Sequence, residues 1–249
     1  MLTSSEGVPF CNSESNPFRG TLKSHGHKIH SLKVSNPGGS AGLFGHMEGA
    51  SVDVHLVNPT AQGALASAVV ANMGSDNQVN ATFSGGRVEA EQSGGLMAGK
   101  VSGDRNRLNQ LGATSEALSV SGGYCSGGGA GHITGTDNKL TQTNLHINIK
   151  AGDTSAGGGG CVSDAAGLQL SQENVTMNVA AHRYSGGGFG TVSRAPYTRL
   201  TQKNSRLNTT ALFIAAAGGV SYLDTSDHVQ LRQENVQMFV SGNLWGGGG

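Results

Sequence analysis

A glutamine returns along this chain at a nearly constant distance. It stands at Gln78, Gln110, Gln142, Gln172, Gln202 and Gln233, with intervals of 32, 32, 30, 30 and 31 residues. The last four copies share a frame: Leu140-Thr141-Gln142-Thr143-Asn144, Leu170-Ser171-Gln172-Glu173-Asn174, Leu200-Thr201-Gln202-Lys203-Asn204 and Leu231-Arg232-Gln233-Glu234-Asn235. Asn80 fills the asparagine position in an earlier copy, and Gly112 replaces it in the next. A period of this length marks a repeat architecture whose units cannot bury an apolar face alone and become stable only when stacked.

Behind each asparagine the side chains alternate with period two. Leu145, Ile147 and Ile149, then Val175, Met177 and Val179, then Val236, Met238 and Val240 are the inward candidates, and Val52, Val54 and Leu56 form an earlier copy. Polar His146, Asn148, Thr176, Asn178 and Gln237 fill the alternate places, which is the pattern of half-buried strands. Phe239 breaks it and is expected to lie exposed or under a neighbouring segment. No stretch carries a helical stripe. Each repeat opens with glycine before a short strand, as in Gly94-Gly95-Leu96-Met97, Gly122-Gly123-Tyr124-Cys125, Gly158-Gly159-Gly160-Cys161 and Gly187-Gly188-Phe189-Gly190. Glycine supplies 41 of the 249 residues, about twice its usual share. Such a column serves either positive φ or close backbone approach, or a thin face that receives another element.

These features predict an all-β fold, a parallel β-solenoid of roughly seven to eight turns. Within it, Gln142, Asn144, Gln172, Asn174, Gln202, Asn204, Gln233 and Asn235 are read as a structural ladder of stacked amides at a corner. There they would satisfy backbone groups outside the strand ladder. An amide array that grips a sugar is the alternative. The core is assigned to Leu140, Ile147, Ile149, Leu170, Met177, Val179, Leu200, Leu207, Leu231, Met238 and Val240. Residues 1–16 read as an N-terminal extension or cap, 17–245 as one solenoid domain, and 246–249 as the opening of a further, truncated turn or a glycine tail.

Sixteen basic and sixteen acidic side chains balance to zero net charge, so long-range attraction to nucleic acid is not expected. No apolar run approaches the ~18 residues of a membrane-spanning helix, and the first residues lack the make-up of a secretion signal.

From Phe18 the chain reads Phe18-Arg19-Gly20-Thr21-Leu22, then Gly26-His27-Lys28-Ile29-His30-Ser31-Leu32-Lys33-Val34, then Ala41-Gly42-Leu43-Phe44-Gly45. This succession resembles GLUG-type and filamentous-haemagglutinin-like β-helix repeats of bacterial surface proteins. It departs from them at Lys23-Ser24-His25, where such repeats usually carry Asp-Gly. The resemblance implies a right-handed β-helix in an exported, surface-displayed protein, commonly an adhesin, and transfers no catalytic residue.

Several clusters offer groups capable of chemistry. His25, His27 and His30 place two imidazoles for a divalent metal, yet the repeat pattern already accounts for His27, and no metal or other cofactor is assigned. Cys125 and Cys161 follow glycine runs in neighbouring repeats and form either a disulfide or a pair of small buried thiols; the longer interval between them implies an insertion near residues 126–136 or 151–157. Asp104, Asp137, Asp164 and Asp227 precede the glutamine at drifting offsets, and read as turn caps or as the carboxylates of a polysaccharide-cleaving β-helix. The expected function is a non-catalytic structural or adhesive module at a bacterial cell surface, with a glycan or host-surface ligand as partner. A polysaccharide-active enzyme and a filament subunit associating end to end are the alternatives.

Overall fold

The computed structural model describes residues 7–242 and the strand Trp245–Gly247. Among these residues there is no helix, and every pairing between named strands is parallel. Sheet 1 stacks eight strands in chain order: Thr21–His30, Ser51–Val57, Gln78–Ser84, Arg107–Gly112, Lys139–Thr143, Gln169–Glu173, Arg199–Lys203 and Gln230–Glu234. Sheet 2 has thirteen strands. Its long strand Gly86–Gly95 pairs with both a broad row (Leu118–Gly122, His146–Ala151, Thr176–Ala181, Arg206–Ala211, Gln237–Gly242) and a narrow row (Cys125–Gly127, Ser155–Gly157, Tyr184–Gly186, Ala215–Ala217, Trp245–Gly247). Sheet 3 has seven strands, from Phe44–Met47 to Val220–Asp224. Each strand pairs with its own copies one turn before and after, so the molecule is a β-solenoid of about seven turns with layers about 4.8 Å apart.

Register puts like upon like. Val52, Val79, Leu108, Leu140, Leu170 and Leu200 form one buried column of sheet 1, while Leu118, Ile147, Met177 and Leu207 form a buried column of the broad row. Val101, Ile133, Val162 and Val192 supply sheet 3. Volumes also compensate between layers: Phe189 is fully buried with its ring beneath Gly159, which has no side chain to occupy that space. Leu231, assigned to the core from the repeat, is 40 % exposed because it lies on the last strand of sheet 1, with no later strand stacked on it among the described residues.

The early turns correct the glutamine spacing. Gln78 pairs with Arg107 and is exposed, whereas Ala81 sits opposite Gln110; Asn80 pairs with Asn109. A three-residue slip explains the false match at this interval. The extra residues of the next turn lie at 113–117, where five residues connect sheet 1 to the broad row; Asn144 and Leu145 alone do so one turn later. No insertion is needed near 126–136 or 151–157. In the first strand a bulge between Lys23 and Lys28 places His25 and Gly26 at positive φ, at the segment that departs from the surface-repeat pattern.

Residues ahead of the first sheet 1 strand pack on the first turn. Phe10 bridges to Phe44 and Phe18 to Met47, and the Phe18 ring stacks on Phe44 at 4.4 Å. Of the expected extension or cap at 1–16, the first six residues lie outside those described.

Candidate functional site

The amides assigned to one corner column divide into two ladders with different physics. The glutamines stand within sheet 1 strands and point inward: Gln142, Gln172 and Gln202 are fully buried. Each Nε2 donates to the Oε1 of the preceding turn, Gln142 to Gln110 at 3.1 Å, Gln172 to Gln142 at 2.9 Å, and Gln202 to Gln172 and Gln233 to Gln202 at 2.7 Å. The remaining amide hydrogen reaches across the core to a glycine carbonyl: Gly158 from Gln142, Gly187 from Gln172 and Gly218 from Gln202, at 3.1–3.3 Å. A side chain at Gly129 would meet Leu140, and one at Gly188 would meet Leu200. The Leu-x-Gln frame and the glycine pairs therefore recur together because they are opposite sides of one contact. Close approach, with sheet 1 as the element received, explains the column; positive φ is confined to Gly160 in the Gly158-Gly159-Gly160 run.

The asparagines are different. Asn144, Asn174, Asn204 and Asn235 adopt φ of 54°, 53°, 47° and 52° at the bend between sheet 1 and the broad row. All four are exposed, so they are not the buried satisfiers expected from the sequence. Asn tolerates the left-handed conformation better than other side-chain-bearing residues. Their amides bond along the axis where they meet, Asn174 to Asn144 at 3.1 Å and Asn235 to Asn204 at 2.9 Å.

The buried corner ladder exists, but at residues the repeat did not single out. Asn77, Asn106 and Asn138 are buried between sheet 3 and sheet 1. Asn138 Oδ1 accepts both the backbone N–H and the side-chain amide of Asn106, and Asn106 Oδ1 does the same for Asn77. The Asp-Asn pairs at 76–77 and 137–138 were the available signal. They were eclipsed because Leu168 and Thr198 precede the sheet 1 strand in the better-matched later turns.

Cys125 and Cys161 form a disulfide with Cα atoms 5.7 Å apart. They are not equivalent residues stacked in one column. Cys125 belongs to the narrow row of sheet 2 and pairs with Ser155; Cys161 belongs to sheet 3 and pairs with His132 and Thr191. The bridge thus ties one sheet to another across successive turns. Tyr184 and Tyr222 occupy the corresponding pair of columns two turns later, with ring centroids 4.8 Å apart.

The four aspartates do not form a carboxylate array. Asp164 makes a bidentate ion pair with Arg194 at 2.6 and 2.8 Å, and Asp104 Oδ1 accepts the Thr136 N–H at 2.7 Å. The hydrogen bond from Arg194 holds the Asp164 carboxyl below its ordinary pKa, with the cation's charge adding to it. Arg105 does the same for Asp76. Asp137 takes a left-handed turn conformation, and Asp227 lies four turns from Asp104. These carboxylates hold the corners. His25, His27 and His30 lie exposed around the first-strand bulge, and no three-residue cluster of potential metal ligands occurs among the described residues. His132 hydrogen-bonds Ser163 at 2.9 Å, and burial first, then nearby Lys100, pushes its pKa down.

The outward side of the broad row carries a concave surface. A shallow groove of about 650 Å³ runs across the layers and is lined by Ser119, Asn148, Lys150, Asn178, Asn208 and Thr210 among others. Asn208 donates to Asn178 at 2.6 Å and Asn178 to Asn148 at 2.8 Å, which fixes a line of amides along the axis. The alternation made these positions outward but not concave.

Comparison with protein-family models, curated proteins and solved structures found no match to this chain.

Proposed function

We propose that this β-solenoid is a non-catalytic structural and adhesive module of an exported bacterial surface protein, and that it holds a glycan along its broad row. The supporting observation is the line of Asn148, Asn178 and Asn208 in the groove. Stacking sets their amides at about the layer spacing, so hydroxyl partners are offered at regular steps along a linear ligand. Polar groups fixed in advance lower the ordering cost of binding. The Cys125–Cys161 disulfide is in keeping with an oxidising compartment.

The test exposes the purified chain to immobilised neutral and acidic polysaccharides and records both retention and released oligosaccharides. Retention without shortened products is expected, and Asn178→Ala should weaken retention of the neutral polymers. Shortened products would replace this reading with the polysaccharide-active one. Lack of retention on every polymer would remove adhesion to glycans.

A further inference from the structure

Sheet 1 has a second outward surface, away from the broad-row groove. Its first outward column reads Gln78, Arg107, Lys139, Gln169, Arg199 and Gln230 in successive layers, all exposed. Six layers at about 4.8 Å span about 24 Å with cations and amides alone. None of Arg107, Lys139 and Arg199 forms an ion pair or side-chain hydrogen bond among the described residues. Acids within these layers are held elsewhere, and Asp53, one layer below Asn80, accepts from the Ser24 hydroxyl at 3.3 Å. Asp76 is paired with Arg105, Asp104 is bonded to the Thr136 amide, and Asp164 is paired with Arg194. Asp137, two residues before Lys139, turns its carboxylate towards Gly167 of the next layer, and Glu173 lies at the far end of the strand that begins with Gln169. Two residues along each strand runs a parallel column of Asn80, Asn109, Thr141, Ser171, Thr201 and Arg232.

We infer that this face of sheet 1 binds a linear acidic polysaccharide laid along the solenoid axis, its carboxylates or sulfates on Arg107, Lys139 and Arg199 and its hydroxyls on the neighbouring amide and hydroxyl column. The cations stand one layer and then two layers apart. A sugar ring advances a linear polymer by a similar step, so charges on successive or alternate sugars meet them in register. The chain as a whole has zero net charge, so the attraction is local and screened within about 10 Å at 0.1 M salt. A nucleic acid fits less well, because in the six layers from Gln78 to Gln230 the outward columns of sheet 1 contain no aromatic ring on which a base could stack. The inference extends the adhesive reading to a second face and a defined ligand class, and it rests on that reading.

The column itself supplies a conservative test, since glutamine already occupies three of its layers. The triple variant Arg107→Gln, Lys139→Gln and Arg199→Gln is compared with the parent for retention on polygalacturonate, dextran sulfate, neutral dextran and duplex DNA across a salt series; thermal melting verifies the fold. Affinity for the two acidic polymers should fall about tenfold in the variant at low salt and lose most of its salt dependence, while retention on dextran is unchanged. Equal binding of acidic polymers by variant and parent would overturn the inference, as would DNA binding as tight as that of polygalacturonate. Parent retention on dextran but not on the acidic polymers would overturn it and leave the broad-row reading standing. Retention on none would reject both.

Discussion

At the bend between sheet 1 and the broad row, side chains are chosen for backbone conformation before hydrogen bonding. Asn174 is exposed and left-handed at φ 53°, so Asn174→Gly should change stability by only a few tenths of a kcal/mol, whereas Asn174→Val should cost about 1–3 kcal/mol. Urea titration of the two variants checks this, and equal losses would mean that the amide bond to Asn144 governs the position. Protonation acts at the same scale. Burial is the leading cause of a lowered pKa at His46, His55 and His132, whose ordinary value is 6.5. Below that value the unfolded chain binds protons that the folded chain refuses. Their contribution to stability is therefore full above about pH 6.5 and is lost as pH falls towards the folded values. Asp76 and Asp164 act in the same sense at lower pH, their stabilisation fading as pH drops below 3.8 through their depressed values. A urea midpoint that falls steadily from about pH 7.5 to about pH 5.5 is expected. Replacing the three histidines with glutamine should flatten the profile, and a midpoint insensitive to pH in the parent would contradict the assignment.

At the scale of elements, the glutamine ladder joins sheet 1 to itself and to the glycine arches opposite. Gln172 donates to Gln142 and to the Gly187 carbonyl and accepts from Gln202, so Gln172→Met should cost about 1–3 kcal/mol by leaving buried groups unpaired. Gln110 ends the ladder where Ala81 replaces the next amide, and its Nε2 has no partner. Gln110→Met should therefore cost less than about 1 kcal/mol, and equal losses at both sites in chemical denaturation would refute the ladder as the source. The glycine arches carry the complementary constraint. A methyl group at Gly159 would run into the buried ring of Phe189, so Gly159→Ala should destabilise by about 1–3 kcal/mol, with part of the loss recovered by Phe189→Leu.

For the whole molecule, stability is close to a sum over turns and their interfaces, and a covalent tie between turns acts on several of them at once. The Cys125–Cys161 disulfide closes a sequence separation of 36 residues, so reduction should lower stability by up to about 4 kcal/mol in the chain-entropy account. Thermal melting with and without reductant reads this out, and the Cys125→Ser variant should melt as the reduced protein does. Identical melting of the oxidised and reduced forms would show that the Tyr184–Tyr222 type of contact is sufficient to join sheets 2 and 3.

The period of about thirty residues, the alternation after each asparagine and the recurrence of Leu-x-Gln with paired glycines by themselves determined a parallel β-solenoid, its strands and most of its core. These signals are local and repeat along the axis, where each turn stacks on its own copy. Only the tertiary structure decided what happens within one cross-section. It turned Gln172 inward and Asn174 outward, and placed Cys125 and Cys161 in different sheets. It also shifted Gln78 out of the column that Ala81 fills, and buried Asn77, Asn106 and Asn138 at a corner. The reason is that a one-residue change in a bend reverses which side of the strand meets the core. The sequence period records the advance from turn to turn but not the angle at which each corner bends. The groove along Asn148, Asn178 and Asn208 was hidden for the same cause: alternation gives the outward side of a strand, and concavity arises from the way neighbouring segments curve around it.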